Sequence, residues 1–133
     1  MFKYEYIVKE VKRVIDGDTV DVVLDLGFGL TMDQRVRVGG IDTPEKRTRD
    51  EEEKKFGLAA TAYAEKWFAE NADKLIVRTK LDGSTGKYGR LLGYFFNNET
   101  EVCFNEQIVA DGLAWEYDGG TKEKDLSTLR LPE

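Results

Sequence analysis

At 133 residues the chain is long enough for one hydrophobic core and short for two, and 41% hydrophobic against 35% charged residues set it among globular rather than disordered chains. It has no histidine and one cysteine, Cys103, which excludes an intramolecular disulfide, any His-based triad or acid–base pair, and zinc held by His or by several Cys. A net charge of −6 counts against tight, non-specific hold on nucleic acid, which needs clustered Lys and Arg.

Residues 6–13 mix β-branched, aromatic and basic side chains and read as a first strand. Asp16-Gly17-Asp18 makes a tight turn. Val20, Val22, Leu24 and Leu26 then alternate with Asp21 and Asp25, the period of a half-buried strand. Asp18 shares the parity of the apolar set, so it is aimed at the inner face, where a carboxylate is costly unless it is paired or holds a metal. Gly27-Phe28-Gly29 breaks the chain. Val36 and Val38 face inward on the next strand with Arg35 and Arg37 opposite, and Gly39-Gly40 loosens the backbone just before Ile41-Asp42-Thr43-Pro44-Glu45.

Residues 46–55, KRTRDEEEKK, read as a charged loop entering a helix. From Phe56 to Ala72 the apolar positions Phe56, Ala59, Ala60, Tyr63, Ala64, Trp67 and Phe68 follow helical spacing, so the aromatic stripe is core. Leu75-Ile76-Val77 is a short buried strand, 82–86 a loop, Leu91 to Phe96 a further strand and Asn97-Asn98 a turn. Phe104 to Ala110 is a short helix with Gly112 in place for its C-terminal cap, and Leu113-Ala114-Trp115 returns to the core. After Tyr117 a short polar tail follows from about residue 118, where Leu126, Leu129 and Leu131 can dock one last helical turn. The sum is a single α+β domain over 1–133, with about five strands and two to three flanking helices, suited to a small closed barrel of the OB type.

Three polar clusters fall at strand ends: Asp16 and Asp18; Arg37 with Asp42, Thr43 and Glu45; and Lys87, Tyr88 and Arg90. Singly they read as an Asp-Gly turn, an exposed cation beside a polar turn, and a basic hairpin. Together they meet the needs of phosphodiester hydrolysis: a cation on the phosphate, an oxygen base for water, and cationic donors for the equatorial oxygens. With His and Cys excluded, a catalytic metal has to sit on carboxylates, which points to Ca²⁺, Mg²⁺ or Mn²⁺.

The runs VIDGDTV at 14–20, R-x-x-x-x-DTPE at 37–45 and KYGR at 87–90 resemble, in order and spacing, those of the staphylococcal nuclease (thermonuclease) family, as do FGLAATA at the helix start and FNEQIVADGLAW at 104–115. The resemblance runs from about residue 8 to residue 117. It implies an OB barrel with flanking helices and Ca²⁺-dependent cleavage of DNA and RNA, leaving 5′-hydroxyl and 3′-phosphate ends. By the same resemblance Asp18, Asp42 and the Thr43 carbonyl are Ca²⁺ ligands, Glu45 orients or deprotonates the attacking water, and Arg37 and Arg90 grip the phosphate. Lys87 and Tyr88 are implied to contact a neighbouring phosphate, Tyr117 a base or sugar, and Asp16 to stand behind the metal ligands.

The chain departs from the family pattern in the acidic Asp50–Glu53 run, in Gly86 directly before Lys87, and in a short C-terminal tail. Against the nuclease stand a catalytically silent OB module that binds nucleic acid or protein, and a structural Ca²⁺ domain. Neither explains why Asp18, Arg37, Asp42, Glu45 and Arg90 occur together. No apolar stretch is long enough for a bilayer and Met-Phe-Lys-Tyr-Glu-Tyr lacks a signal's apolar segment, so a monomeric, cytoplasmic enzyme without membrane contact is expected, or a secreted one if a leader has been removed.

Overall fold

Strand β1 (Tyr4–Asp16) is long enough to serve two partners in succession. Its first residues pair antiparallel with β5 (Leu75–Leu81), from Tyr4↔Thr79 to Ile7↔Ile76, and its remainder pairs with β2 (Thr19–Gly27). Register shifts at Val8/Glu10, Val11/Arg13 and Val14/Asp16 bend it between those directions, as bulges do where a sheet must curl. β2 continues antiparallel into β3 (Leu30–Val38), β3 runs parallel to β6 (Leu91–Asn97), and β6 returns antiparallel to β5. Among the described residues the order β1-β2-β3-β6-β5 closes a barrel, with β3 meeting β6 only at Arg37 and Val38. This is the five-stranded OB-type barrel of an α+β chain. A computed structural model of the chain describes residues 2–81, 91–117 and 125–132.

The barrel fills from its alternating strands: Val20, Val22, Val36, Val38, Val77 and Phe95 are buried. Leu26 is not, being 39% exposed, because β2 and β3 run past the end of the barrel there and their period-2 face has nothing left to cover it. Helix α1 (Glu51–Asn71) closes one end of the barrel with Ala60, Ala64, Trp67 and Phe68. Phe68 meets Phe95 edge-on at 4.9 Å and lies 4.8 Å from Phe104 of α2 (Phe104–Ala110), so one ring ties the barrel to both helices.

α1 starts five residues earlier than its apolar period suggests. Asp50 caps it by accepting hydrogen bonds from the Glu52 and Glu53 N–H groups, and Glu51, Glu52 and Glu53 lie on the positive end of the helix dipole. Half of the charged run is therefore helix. It ends at Asn71, with Ala72–Lys74 tightening into a 3-10 turn ahead of β5.

A second, two-residue pairing joins β4 (Ile41–Asp42) to β7 (Trp115–Glu116). The tail forms a 3-10 turn at Leu126–Thr128 that buries Leu129 and leaves Leu131 exposed. Trp115 is half-buried rather than core, because its indole N–H reaches back to this turn, donating to the Asp125 carbonyl and the Thr128 hydroxyl. Gly112 has φ +83°, as a C-terminal cap requires.

Candidate functional site

The site forms where three chain segments meet at one end of the barrel. The first is the turn between β1 and β2. The Asp16 carboxylate accepts the Asp18 N–H at 3.2 Å, which closes the turn locally. Gly17 at its tip lies flush against Thr43 and α1: a β-carbon there would stand 2.8 Å from the Thr43 methyl and 2.9 Å from Ala60. Only glycine lets the two motifs approach that closely.

Asp18 then bonds the second segment directly. Its Oδ2 accepts the Thr43 N–H at 3.3 Å, while Oδ1 accepts the Thr19 hydroxyl at 3.2 Å. Residues 25 apart in sequence are thereby held together. Asp42, in β4, is only 4% exposed, Thr43 and Pro44 are buried, and Glu45 emerges into solvent.

Arg37, at the end of β3, lies between the two aspartates. Its Nη1 is 3.7 Å from Asp18 Oδ2 and its Nη2 3.8 Å from Asp42 Oδ1. The same groups donate to main-chain carbonyls: Nη1 to Asp18 and Val38 at 3.3 and 2.7 Å, Nη2 to Ile41 at 2.9 Å. The guanidinium therefore also acts as a rivet, fixing the carbonyls on either side of Gly39-Gly40. Its outward parity on β3 agrees with the sequence, but the β4 segment folds over it and leaves it mostly buried.

The third segment is β7. Trp115 pairs with Asp42, Glu116 with Ile41, and the Tyr117 N–H donates to the Gly40 carbonyl at 2.8 Å. This sets Tyr117 beside the Gly39-Gly40 corner, two residues from Asp42. Lys87, Tyr88 and Arg90 lie outside the described residues.

Two side chains that sequence reasoning passed over hold this corner in place. Asn105, 4% exposed at the start of α2, accepts the Phe95 N–H at 3.1 Å and donates to the Gly39 and Gly93 carbonyls at 2.7 and 3.0 Å. The signal was partial: an amide turned inward on a helix start has to be bonded inside, but Phe104 and Ile108 enclose two amides, Asn105 and Gln107, and the sequence does not say which of them is buried. Tyr94 packs its ring against Gly39, where a β-carbon would come within 2.6 Å of the ring carbon bearing the hydroxyl.

The electrostatics are those of crowded negative charge. Burial, the hydrogen bond shared with Asp18 and the charge of Asp18 push the Asp16 carboxyl up to about 6. Burial pulls Asp18 in the same direction, but the bond with Asp16, the Arg37 charge and the Thr43 N–H outweigh it and hold Asp18 below the usual carboxylate value. Two carboxylates share one guanidinium, which leaves an excess of negative charge.

That excess and an all-oxygen donor set suit a hard divalent cation. Asp18, Asp42 and the Thr43 carbonyl are the groups able to hold it. Among the described residues no cluster of three or more His, Cys, Asp or Glu forms a ready-made metal cage.

The family model described as staphylococcal nuclease homologue matches residues 35–131. The chain is 31% identical over 131 residues to the protein ParB of Escherichia coli, covering 93% of this chain and 65% of that one. It is 35% identical over 105 residues to the thermonuclease of Staphylococcus intermedius, with 78% and 56% covered. To the micrococcal nuclease of Shigella flexneri it is 29% identical over 115 residues, with 81% and 57% covered. The chain thus spans between 56% and 65% of the length of these relatives. By the family match and by these relatives, the chain belongs to the staphylococcal nuclease homologue family.

Proposed function

We propose that the chain is a Ca²⁺-dependent nuclease that hydrolyses single-stranded or flexible DNA and RNA and leaves 5′-hydroxyl and 3′-phosphate ends. The observation that carries this reading is the Asp18–Arg37–Asp42 arrangement: two inward carboxylates, locked to each other through Thr43 and Arg37, with Glu45 emerging three residues on. The names of two relatives, thermonuclease and micrococcal nuclease, support the same class of reaction.

In this reading Asp18, Asp42 and the Thr43 carbonyl hold Ca²⁺, which when bound neutralises phosphate charge and lowers the pKa of water. Glu45, the exposed carboxylate beside them, orients the attacking water and accepts its proton. Arg37 and Arg90 donate to the phosphate oxygens as charge builds on them, the role in which a planar fork of N–H groups works best. Lys87 and Tyr88 take a neighbouring phosphate, and Tyr117 lies against a base or sugar. Asp16, bonded to the Asp18 N–H, keeps that ligand in orientation. A flexible strand suits the site because Asp18, Arg37 and Asp42 are recessed and, among the described residues, no helix projects that could enter a groove.

The experiment is incubation of a labelled single-stranded oligonucleotide with the protein in Ca²⁺, in Mg²⁺ and in chelator, followed by end analysis. Cleavage in Ca²⁺, none in chelator, and fragments that accept a 5′-phosphate from a kinase without prior phosphatase treatment are expected. Cleavage that persists in chelator refutes the metal assignment. Binding without cleavage in Ca²⁺ selects the silent OB module instead.

A further inference from the structure

The nuclease reading gives Glu45 the task of handling water, yet its side chain stands on an exposed stretch between β4 and α1. Two residues one helical turn apart on α1 hold its backbone. The Glu53 carboxylate accepts the Glu45 N–H at 3.2 Å. Gly57, four residues further on, lies under the next peptide: a β-carbon there would stand 2.7 Å from the Glu45 carbonyl carbon and oxygen and 2.6 Å from the Lys46 nitrogen.

The helix face that makes these contacts is itself fixed. Thr48 Oγ1 accepts the Asp50 N–H at 3.2 Å, and Asp50 caps the Glu52 and Glu53 N–H groups at 3.0 and 3.3 Å. Three residues beyond Gly57, Ala60 abuts Gly17 of the Asp16–Asp18 turn. Positions 53, 57 and 60 share one side of α1, so a single rigid helix face runs from Glu45 back to the metal-ligand turn.

We propose that Glu53 is a positioning residue for Glu45. Glu53 accepts a backbone N–H and is half-buried, unlike its exposed neighbours Glu51 and Glu52, so it serves geometry rather than solubility. This also accounts for one acidic residue at a site meant for a polyanion: its carboxylate is turned onto a peptide N–H. Catalytic groups misplaced by about 1 Å lose up to about 10²-fold in rate, which is the lever available to such a contact. The inference rests on the nuclease reading, since only that reading gives Glu45 a task.

The test compares wild type, Glu53→Ala and Glu53→Gln in the full chain. Hydrogen exchange of the Glu45 amide reports the contact without reference to activity, and kcat and KM on a single-stranded oligonucleotide report its effect. Glu53→Ala should raise Glu45 amide exchange by about tenfold, the equivalent of one lost hydrogen bond, and lower kcat by about tenfold with KM within about twofold. Glu53→Gln, which keeps an acceptor oxygen at the same reach, should stay within about threefold of wild type in both readouts.

Unchanged exchange in Glu53→Ala overturns the contact, and unchanged kcat overturns its positioning role. A Glu53→Gln variant as impaired as Glu53→Ala overturns the acceptor argument. A fall in melting temperature with kcat intact below the transition means Glu53 only supports the fold, which also overturns it. If wild type does not cleave, the nuclease reading fails on its own, and the exchange data alone decide whether Glu53 holds Glu45.

Discussion

Replacing Asn105 with alanine strikes the corner on which both the barrel and the site depend. The amide makes four internal hydrogen bonds: its oxygen accepts the Phe95 N–H and the Cys103 thiol, and its nitrogen donates to the Gly39 and Gly93 carbonyls. The Gly93 carbonyl also accepts the Gly39 N–H at 2.9 Å, so it keeps a partner. The Phe95 N–H and the Gly39 carbonyl each lose the bond Asn105 supplies. At about 1–3 kcal/mol for each buried group left unsatisfied, the cost comes to about 2–6 kcal/mol, and we expect about 4.

That is a large part of the stability of a domain this size. Urea unfolding followed by tryptophan fluorescence measures it: the midpoint should fall sharply with an unchanged m-value. Asn105→Asp should be no better than alanine, because one carboxyl oxygen then faces the two carbonyls that the amide N–H groups served. A loss under about 1 kcal/mol for Asn105→Ala would refute the reasoning, since it would mean that the bonds of this amide do not hold the Gly39 corner.

Two further outcomes follow from the site. Asp16 has a folded pKa of about 6, above its unfolded value, so the folded chain holds its proton more tightly. Stability in chelator should therefore fall as pH rises from about 4 through 6, and Asp16→Asn should be more stable than wild type at pH 8 but not at pH 4 by the same urea assay. Gly17→Ala forces a methyl against Thr43 and Ala60, and should destabilise by about 1–3 kcal/mol while lowering Ca²⁺ affinity, read by calorimetry, because Thr43 is displaced.

The barrel was legible because its strands alternate, and Val20, Val22, Val36 and Val38 declared their inner face by period alone. Alternation failed at Leu26, where the sheet outruns the core, a property of tertiary extent rather than of local sequence. α1 was placed by its apolar stripe, but its first turn was hidden because Asp50 and three glutamates make a capped helix start that composition alone cannot tell from a solvated loop. The pairing of Asp18 with Asp42 was suggested by parity and by family resemblance. The means of pairing were not: the Thr43 N–H, the main-chain bonds of Arg37 and the close approach at Gly17 depend on distances between segments far apart in the chain. The β4–β7 bridge that sets Tyr117 beside Gly40 is two residues long and carries no periodic signal.

The central claim is that Asp18 and Asp42 together hold a catalytic cation, and cleavage of a labelled single-stranded oligonucleotide by wild type and Asp42→Asn at matched Ca²⁺ tests it most directly. Wild type should cleave only with Ca²⁺ and gain melting temperature from it, while Asp42→Asn should be slower by about 10² or more and gain none. Asp42→Asn cleaving within tenfold of wild type, with its Ca²⁺-induced stabilisation intact, would contradict the account.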